Sequence, residues 1–210
     1  MARYTGPVCR KCRREGQKLF LKGQRCYGPK CSYEKRQYPP GQGGENSGRR
    51  RPSDYAVQMR QKQKLRSIYG VLEKPFRKYI VEAERMEGVA GENLLWLLEC
   101  RLDNLVYRAG YASSRKEARQ LVAHGHFTLN GHRVSVPSVR VRIGDTLKAR
   151  DKSKDIGPIA ASAAAAGGRP PLAWVETDLA SRAATLAARP ARAEIDTQID
   201  EQMIIEFYSR

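Results

Sequence analysis

The chain is short of acids and of histidine. Against 39 Lys and Arg it carries 22 Asp and Glu and three His in 210 residues. With so few imidazoles, no glycine-rich phosphate loop and no nucleophile beside a base, the usual marks of catalysis are missing. No run approaches the 18 apolar residues of a membrane-crossing helix. The opening Met1-Ala2-Arg3-Tyr4-Thr5-Gly6-Pro7 has no apolar stretch of the secretory kind, so a soluble intracellular chain with no membrane partner is expected. Cysteine is nearly absent after residue 31. Cys100 stands alone in an apolar helical pattern, where a thiol behaves as a small buried hydrophobe.

What is present is positive charge, unevenly placed. The net charge is +17, and residues 1 to 80 hold 21 basic against five acidic side chains. The remaining residues are close to neutral, so attraction to a polyanion belongs to the N-terminal third. Four of the five cysteines, Cys9, Cys12, Cys26 and Cys31, fall in the same region. Their spacing, Cys-x-x-Cys, thirteen residues, then Cys-x-x-x-x-Cys, is close to the paired-ligand pattern of tetrahedral zinc. In a reducing compartment such thiols bind metal rather than pair as disulfides. Zn2+ is the default ion; an iron–sulfur cluster uses the same four ligands, and vestigial or redox-active thiols are the remaining reading. A segment this short buries too little apolar surface to order itself, so the metal would supply much of its folding energy.

Beyond the cysteines, Tyr38-Pro39-Pro40-Gly41-Gln42-Gly43-Gly44 and the run Arg49-Arg50-Arg51-Pro52 argue against helix and strand and suggest an extended basic arm. Ser53 offers an N-cap for a helix to about Tyr69, stopped by Gly70, with Arg60, Lys62, Lys64 and Arg66 spread around it. A second helix from Glu73 to about Glu87 sets Phe76, Ile80 and Ala83 at core spacing. Leu94 through Val106 forms the most apolar helical stretch. Ser114-Arg115-Lys116-Glu117 fits a capping box, and Gly125 ends that helix. Phe127-Thr128-Leu129 and Val134-Ser135-Val136 alternate across Asn130-Gly131, a hairpin signal, with further strands expected at 139–141 and 146–149. Residues 155–193 are Ala- and Pro-rich and read as a variable connection, with Trp174 and Val175 docking on the sheet. The apolar segment Met203 to Tyr208 should pack back on the body or a partner.

The expected fold class is α+β. A four-cysteine metal-stapled loop module with a basic arm (1–45) precedes an all-helical domain (46–99, completed by about 176–210). A small helix-plus-antiparallel-sheet RNA-binding module (100–155) and a variable connection (156–175) follow. The helix from Ser114 buries Ala118, Leu121 and Val122 and turns Arg115, Lys116 and Arg119 outward, followed by His124 and His126. Guanidinium groups beside a rigid hairpin suit RNA, recognised by shape and phosphate position.

At these residues a resemblance becomes specific. Arg101 to Gly131, RLDNLVYRAGYASSRKEARQLVAHGHFTLNG, resembles the RNA-binding module of the bacterial small-subunit ribosomal protein four family. Met1 to Pro7, the cysteine pattern, the Tyr38-to-Gln42 turn, Gln63-Lys64-Leu65-Arg66 and Glu201 to Arg210 are similar to the rest of that family. The resemblance implies a structural, non-enzymatic ribosomal protein in the cytoplasmic small subunit. Its RNA would be the 16S-type ribosomal RNA, at a 5′-domain junction, where it nucleates assembly of the subunit body. It also implies contact with ribosomal protein five and other small-subunit proteins, a place near the mRNA entry path, and a contribution to translational accuracy with proteins five and twelve. A homo-oligomer is not expected.

Candidate RNA contacts are Arg3, Arg10, Lys11, Arg13, Arg14, Lys22, Arg25, Arg36, Arg49, Arg50, Arg51, Arg60, Lys62, Lys64, Arg66, Arg115, Lys116, Arg119, His124 and His126. Glu201, Gln202 and Tyr208 are the candidate protein-interface residues. The four cysteines match the family's metal ligands, which many relatives lack. Gly43 stands where the family usually has His, and 155–193 departs from the pattern. The competing classes are an RNA-modifying enzyme carrying the same module and a zinc-containing nucleic-acid-binding regulator. Asp103 lacks the Thr-x-Gly-Leu that follows the catalytic Asp of pseudouridine synthases, and is expected to pair with an arginine or to cap within its helix instead.

Overall fold

The computed structural model describes residues 3–42, 44, 51–166 and 172–209, so Arg49, Arg50 and Gly43 lie outside the described residues. The chain divides into two units, Met1–Leu95 with Gln198–Arg210, and Trp96–Thr197.

The first unit holds α1 (Cys9–Glu15), α2 (Ser32–Lys35), α3 (Asp54–Tyr69), α4 (Glu73–Arg85), the start of α5 (Ala90–Glu99), and α9 (Glu201–Tyr208). Ser53 caps α3, its Oγ accepting from the Ala56 backbone N–H at 3.3 Å. Gly70 ends the helix in the left-handed conformation, φ 64°, and its N–H donates to the Arg66 carbonyl. Apolar positions of α4 recur at helical spacing, so Phe76, Ile80 and Ala83 fall on one face and are fully buried. The end of α4 leaves carbonyls without intrahelical donors. The buried Asn93 amide answers them, donating to Ala83 at 3.3 Å and Glu87 at 3.1 Å.

The C-terminal segment does pack back. α9 lies against α3, with Ile204 buried, Phe207 5.5 Å from Tyr55 and the Tyr208 hydroxyl donating to Glu73 at 2.5 Å. Gly91 lets α9 come close: a Cβ there would stand 2.6 Å from Glu201 Cγ.

The second unit packs α6 (Leu102–Arg108) and α7 (Arg115–Ala123) with β1 (Phe127–Leu129), β2 (His132–Val134), β3 (Thr146–Ala149), β4 (Val175–Asp178) and β5 (Ala183–Leu186). The antiparallel sheet has the order β2-β1-β3-β5-β4. Leu105, Val106, Ala118, Val122, Phe127, Leu147, Trp174 and Leu186 form one continuous buried core. A fully buried side chain of this size contributes about 1.5–3 kcal/mol.

Several elements differ from the sequence expectation. The apolar stretch 94–106 is two helices, broken at Cys100-Arg101. There the backbone leaves the helix to bond with 139–141: Leu102 N–H donates to the Val139 carbonyl at 2.9 Å, and Val141 N–H to Cys100 at 2.8 Å. The expected strand 139–141 is therefore an isolated bridge between Arg101 and Arg140, not a hairpin partner. Asn130 (φ 50°) and Gly131 (φ 81°) do form the tight turn, which places Leu129 opposite His132. The strand after the turn thus runs 132–134 rather than 134–136.

Residues 175–186, read as connection and helical-domain sequence, supply two strands of the sheet. The alternating burial of Ala184 and Leu186 explains why. Only Gln198–Arg210 groups with the helical unit. The Ala-rich run forms α8 (Gly157–Ala166), with Ile159 and Ala163 buried. Among the described residues, no helix is long and apolar enough to cross a membrane.

Candidate nucleic-acid interface

In the N-terminal module the four thiols are free of disulfides; Cys12, Cys26 and Cys31 are buried and Cys9 is partly so. One sulfur receives a backbone donor, Cys26 from Lys22 N–H at 3.3 Å. Burial raises the Cys12 and Cys26 thiols above their ordinary range, and the neighbouring cysteines add to the effect. Among the described residues, however, no group of three or more His, Cys, Asp or Glu is arranged to hold a metal ion.

Around these thiols Arg3, Arg10, Arg14, Lys22, Arg25 and Arg36 are exposed. Arg13 is not free to move: its Nε donates to the Tyr38 carbonyl at 3.0 Å and its guanidinium stacks on the Tyr38 ring. It thereby pins the Tyr38-Pro39 turn to α1. Lys11 lies over the Tyr4 ring at 4.1 Å. A groove in this unit is lined by Arg10, Lys11, Arg14, Glu15, Arg60 and Gln63, a cationic channel with one acid. Arg51 is exposed.

The cations of α3 are largely turned inward. Lys62 and Arg66 reach Glu73 at 3.3 Å and 2.6 Å, and Lys62 also lies 4.5 Å over the Phe207 ring. Lys64 donates to the Gln198 carbonyl and Arg60 meets Glu15 at 3.5 Å. Their charge was legible in the sequence, but their acid partners, distant in the chain, were not. Tyr208 and Glu201, expected at a protein interface, are partly buried within the same unit, while Gln202 is exposed.

In the second unit, Ser114 caps α7 by accepting from Glu117 N–H at 3.3 Å. Glu117 reaches back one residue further than a capping box requires, accepting from both the N–H and the hydroxyl of Ser113 at 2.6 Å. Arg115 and Arg119, one turn apart, are held by an amide and a carboxylate. Arg115 Nε donates to Asn104 Oδ1 at 2.7 Å and its guanidinium stacks on Tyr107. Asn104 in turn donates to the buried Glu99 carboxylate at 2.5 Å, which also takes two bonds from Arg108 at 2.7 and 2.9 Å. Arg119 meets Asp103 at 3.1 Å, and Asp103 is bridged by Arg101 through two bonds. Asp103 thus pairs with arginines, the first of the two roles expected of it.

Lys116 and His124 remain exposed. His126 touches Ser153 Oγ at 3.1 Å, and its ring is 6.0 Å from that of His124. Burial, then repulsion from His124, Arg150 and Arg133, holds the His126 imidazole below its ordinary range. That set of neighbours exposes a surface the sequence reading missed. Arg133, Thr128 and Lys148 stand opposite one another across β2, β1 and β3, on the sheet face away from the buried Phe127, Leu147 and Ala149. Arg150 and Lys152 adjoin this row around a shallow hollow. The alternation Thr146-Leu147-Lys148-Ala149 was the available signal, since it assigns Lys148 to the wet face.

A capped helix, two adjacent imidazoles and a row of cations across a rigid three-strand surface make a nucleic-acid-binding protein of the kind that reads phosphate position and shape. The comparisons with known proteins are more particular. A profile described as ribosomal protein S4/S9 N-terminal domain matches residues 3–99, and one described as S4 domain matches 100–147. Proteins called small ribosomal subunit protein uS4 align over 210 residues, covering the whole of this chain and the whole of each relative. They include those of Heliobacterium modesticaldum (53% identical), Geotalea daltonii (55%) and Pelotomaculum thermopropionicum (55%). The chain belongs to the uS4 family.

Proposed function

We propose that this chain is a structural component of the small ribosomal subunit, binds the subunit's ribosomal RNA and has no catalytic role. The observation that carries this reading is end-to-end identity above one half with uS4 proteins. The cationic groove of the first unit and the Arg133–Thr128–Lys148 row of the second supply a physical means. The same alignment favours the structural role over an RNA-modifying enzyme or a zinc-containing regulator. The finer reading places the chain in the cytoplasmic small subunit, on a 5′-domain junction of 16S-type RNA, where it nucleates the subunit body. Ribosomal proteins five and twelve are its proposed protein neighbours in decoding accuracy, near the mRNA entry path.

In this reading Lys116, His124, Arg133 and Lys148 meet phosphates, whereas Arg115 and Arg119 fix the attitude of α7 and offer what remains of their guanidinium edges. The four cysteines are proposed to take Zn2+, with an iron–sulfur cluster as the alternative. The support is a four-sulfur donor set without disulfides and an N–H···S bond of the sort that stabilises thiolate ligands. Binding would require the thiols to draw together and release protons. Elemental analysis and an absorption spectrum of anaerobically purified protein separate the two ions, and a metal-free sample with native amide exchange in the first forty residues would refute both.

The functional test is filter binding of the full chain to a 5′-domain RNA fragment over a salt series. Affinity should fall steeply with salt, and Arg133→Ala with Lys148→Ala should each lower the log–log slope by about one. A flat salt response, or equal affinity for unrelated duplex DNA, would overturn the proposal.

A further inference from the structure

The N-terminal module displays two aromatic rings with large areas in contact with water. Phe20 is 40% exposed and Tyr27 70%, yet the rings are stacked on each other, centroids 4.9 Å apart and planes 28° from parallel. Isolated exposed aromatics are commonplace; here each ring covers one face of the other and the pair still leaves a large apolar area in water.

The backbone is bent to present them. Phe20 has φ 50°, left-handed backbone that a bulky side chain adopts only at a cost. The loop between the two rings is tied down at both ends: Leu19 is buried, Lys22 N–H donates to Cys26 Sγ at 3.3 Å, and Tyr27 N–H donates to the Gln24 carbonyl at 3.0 Å. Charge identifies the occupant. Residues 16–33 contain no acid, and Lys22 and Arg25, both exposed, lie in the loop that joins the rings. The acids that flank this stretch, Glu15 and Glu34, are already engaged, by Arg60 and Lys18.

We propose that the Phe20–Tyr27 pair is a stacking platform for one unpaired base of a single-stranded RNA segment, with the flanking phosphates on Lys22 and Arg25. An aromatic face framed by cations is the general solution for holding single strands, because every base offers a π face and every linkage a phosphate. A protein partner would meet the same rings with an apolar side chain and would have no use for the cations. The proposal rests on the RNA-binding reading and adds to it a base contact where the rest of the surface offers phosphate contacts.

The test uses the full chain with two probes, a twelve-nucleotide oligo(A) RNA and an abasic strand of equal phosphate number. Tyr27→Ala should weaken oligo(A) binding about 5- to 100-fold without changing the salt slope, and leave abasic binding unchanged. Tyr27→Phe should bind oligo(A) within about twofold of the parent, since the ring is kept. Lys22→Ala with Arg25→Ala should weaken both probes and reduce the slope. The platform is overturned if Tyr27→Ala binds oligo(A) like the parent. It is equally overturned if the loss is the same on the abasic strand, which would mean the substitution disturbs the module rather than a base contact. A parent protein that binds the 5′-domain fragment in either case leaves the RNA reading standing, and one that binds no RNA overturns both.

Discussion

Glu99→Gln tests the ion network behind α7. Glu99 has no exposed surface, and Arg108 is 7% exposed in its side chain. The carboxylate accepts from Arg108 at 2.7 and 2.9 Å and from Asn104 at 2.5 Å, with Arg115 Nη2 at 3.9 Å. Gln preserves the shape but removes the charge and turns one acceptor into a donor facing a guanidinium. Removing one partner of a buried pair costs about 3–5 kcal/mol; Arg108 keeps its bond to the exposed Asp196, at 2.8 Å, where solvent weakens the attraction. For a unit of about one hundred residues, each kcal/mol lowers the midpoint by roughly 4 °C, giving a fall of about 12–20 °C.

Trp96 and Trp174, the chain's two tryptophans, both lie in this unit, so their fluorescence reports its melting without interference from the helical unit. Glu99→Leu combined with Arg108→Met should recover much of the loss, since neither charge is then stranded. A Glu99→Gln melt within about 2 °C of the parent, against the drop expected for a stranded charge, would refute the account of the network.

Gly110 has φ 84°, and a Cβ on it would stand 2.4 Å from Ala166 Cβ; Gly110→Ala should cost about 1–3 kcal/mol in the same melt. The His126 imidazole, held down by burial and by His124, Arg150 and Arg133, should titrate below 6.5 when its Cε1 proton is followed by NMR. The stability it confers is present above 6.5 and is lost as pH falls through the depressed folded value; bound RNA should move that titration upward, so affinity strengthens on acidification. Tyr208→Phe removes the bond to Glu73, a half-exposed carboxylate, and should lower the urea midpoint by about 1 kcal/mol equivalent with the m value unchanged.

Local chemistry was readable from the sequence. Ser53, Gly70, Ser114 and Asn130-Gly131 each satisfy a backbone requirement within a few residues, so their roles need no tertiary knowledge. The break at Cys100-Arg101 was hidden, because its cause is a backbone bridge to residues some forty positions later. The same applies to β4 and β5, whose partner β3 precedes them across a long Ala-rich stretch. For the interface, residue type gave the charge but not its availability. Lys62, Lys64 and Arg66 read as a basic face until Glu73 and the Gln198 carbonyl are brought beside them. Conversely Arg133 and Lys148 carried no motif, and only the strand register aligns them.

The helical unit is discontinuous, and this has a consequence for biosynthesis. α3 and α4 come early in the chain, but the surface that meets Tyr55 and bonds Glu73 belongs to α9, which is translated only after the whole of the second unit. During elongation Phe207 and Tyr208 are not yet made, so α3 waits with an open seam. The sheet-bearing unit, whose strands all lie between residues 96 and 197, needs none of the last thirteen residues to close. A released chain truncated after residue 197 should therefore display a folded second unit and an unclosed first one, which separates what the second unit needs from what the last thirteen residues supply.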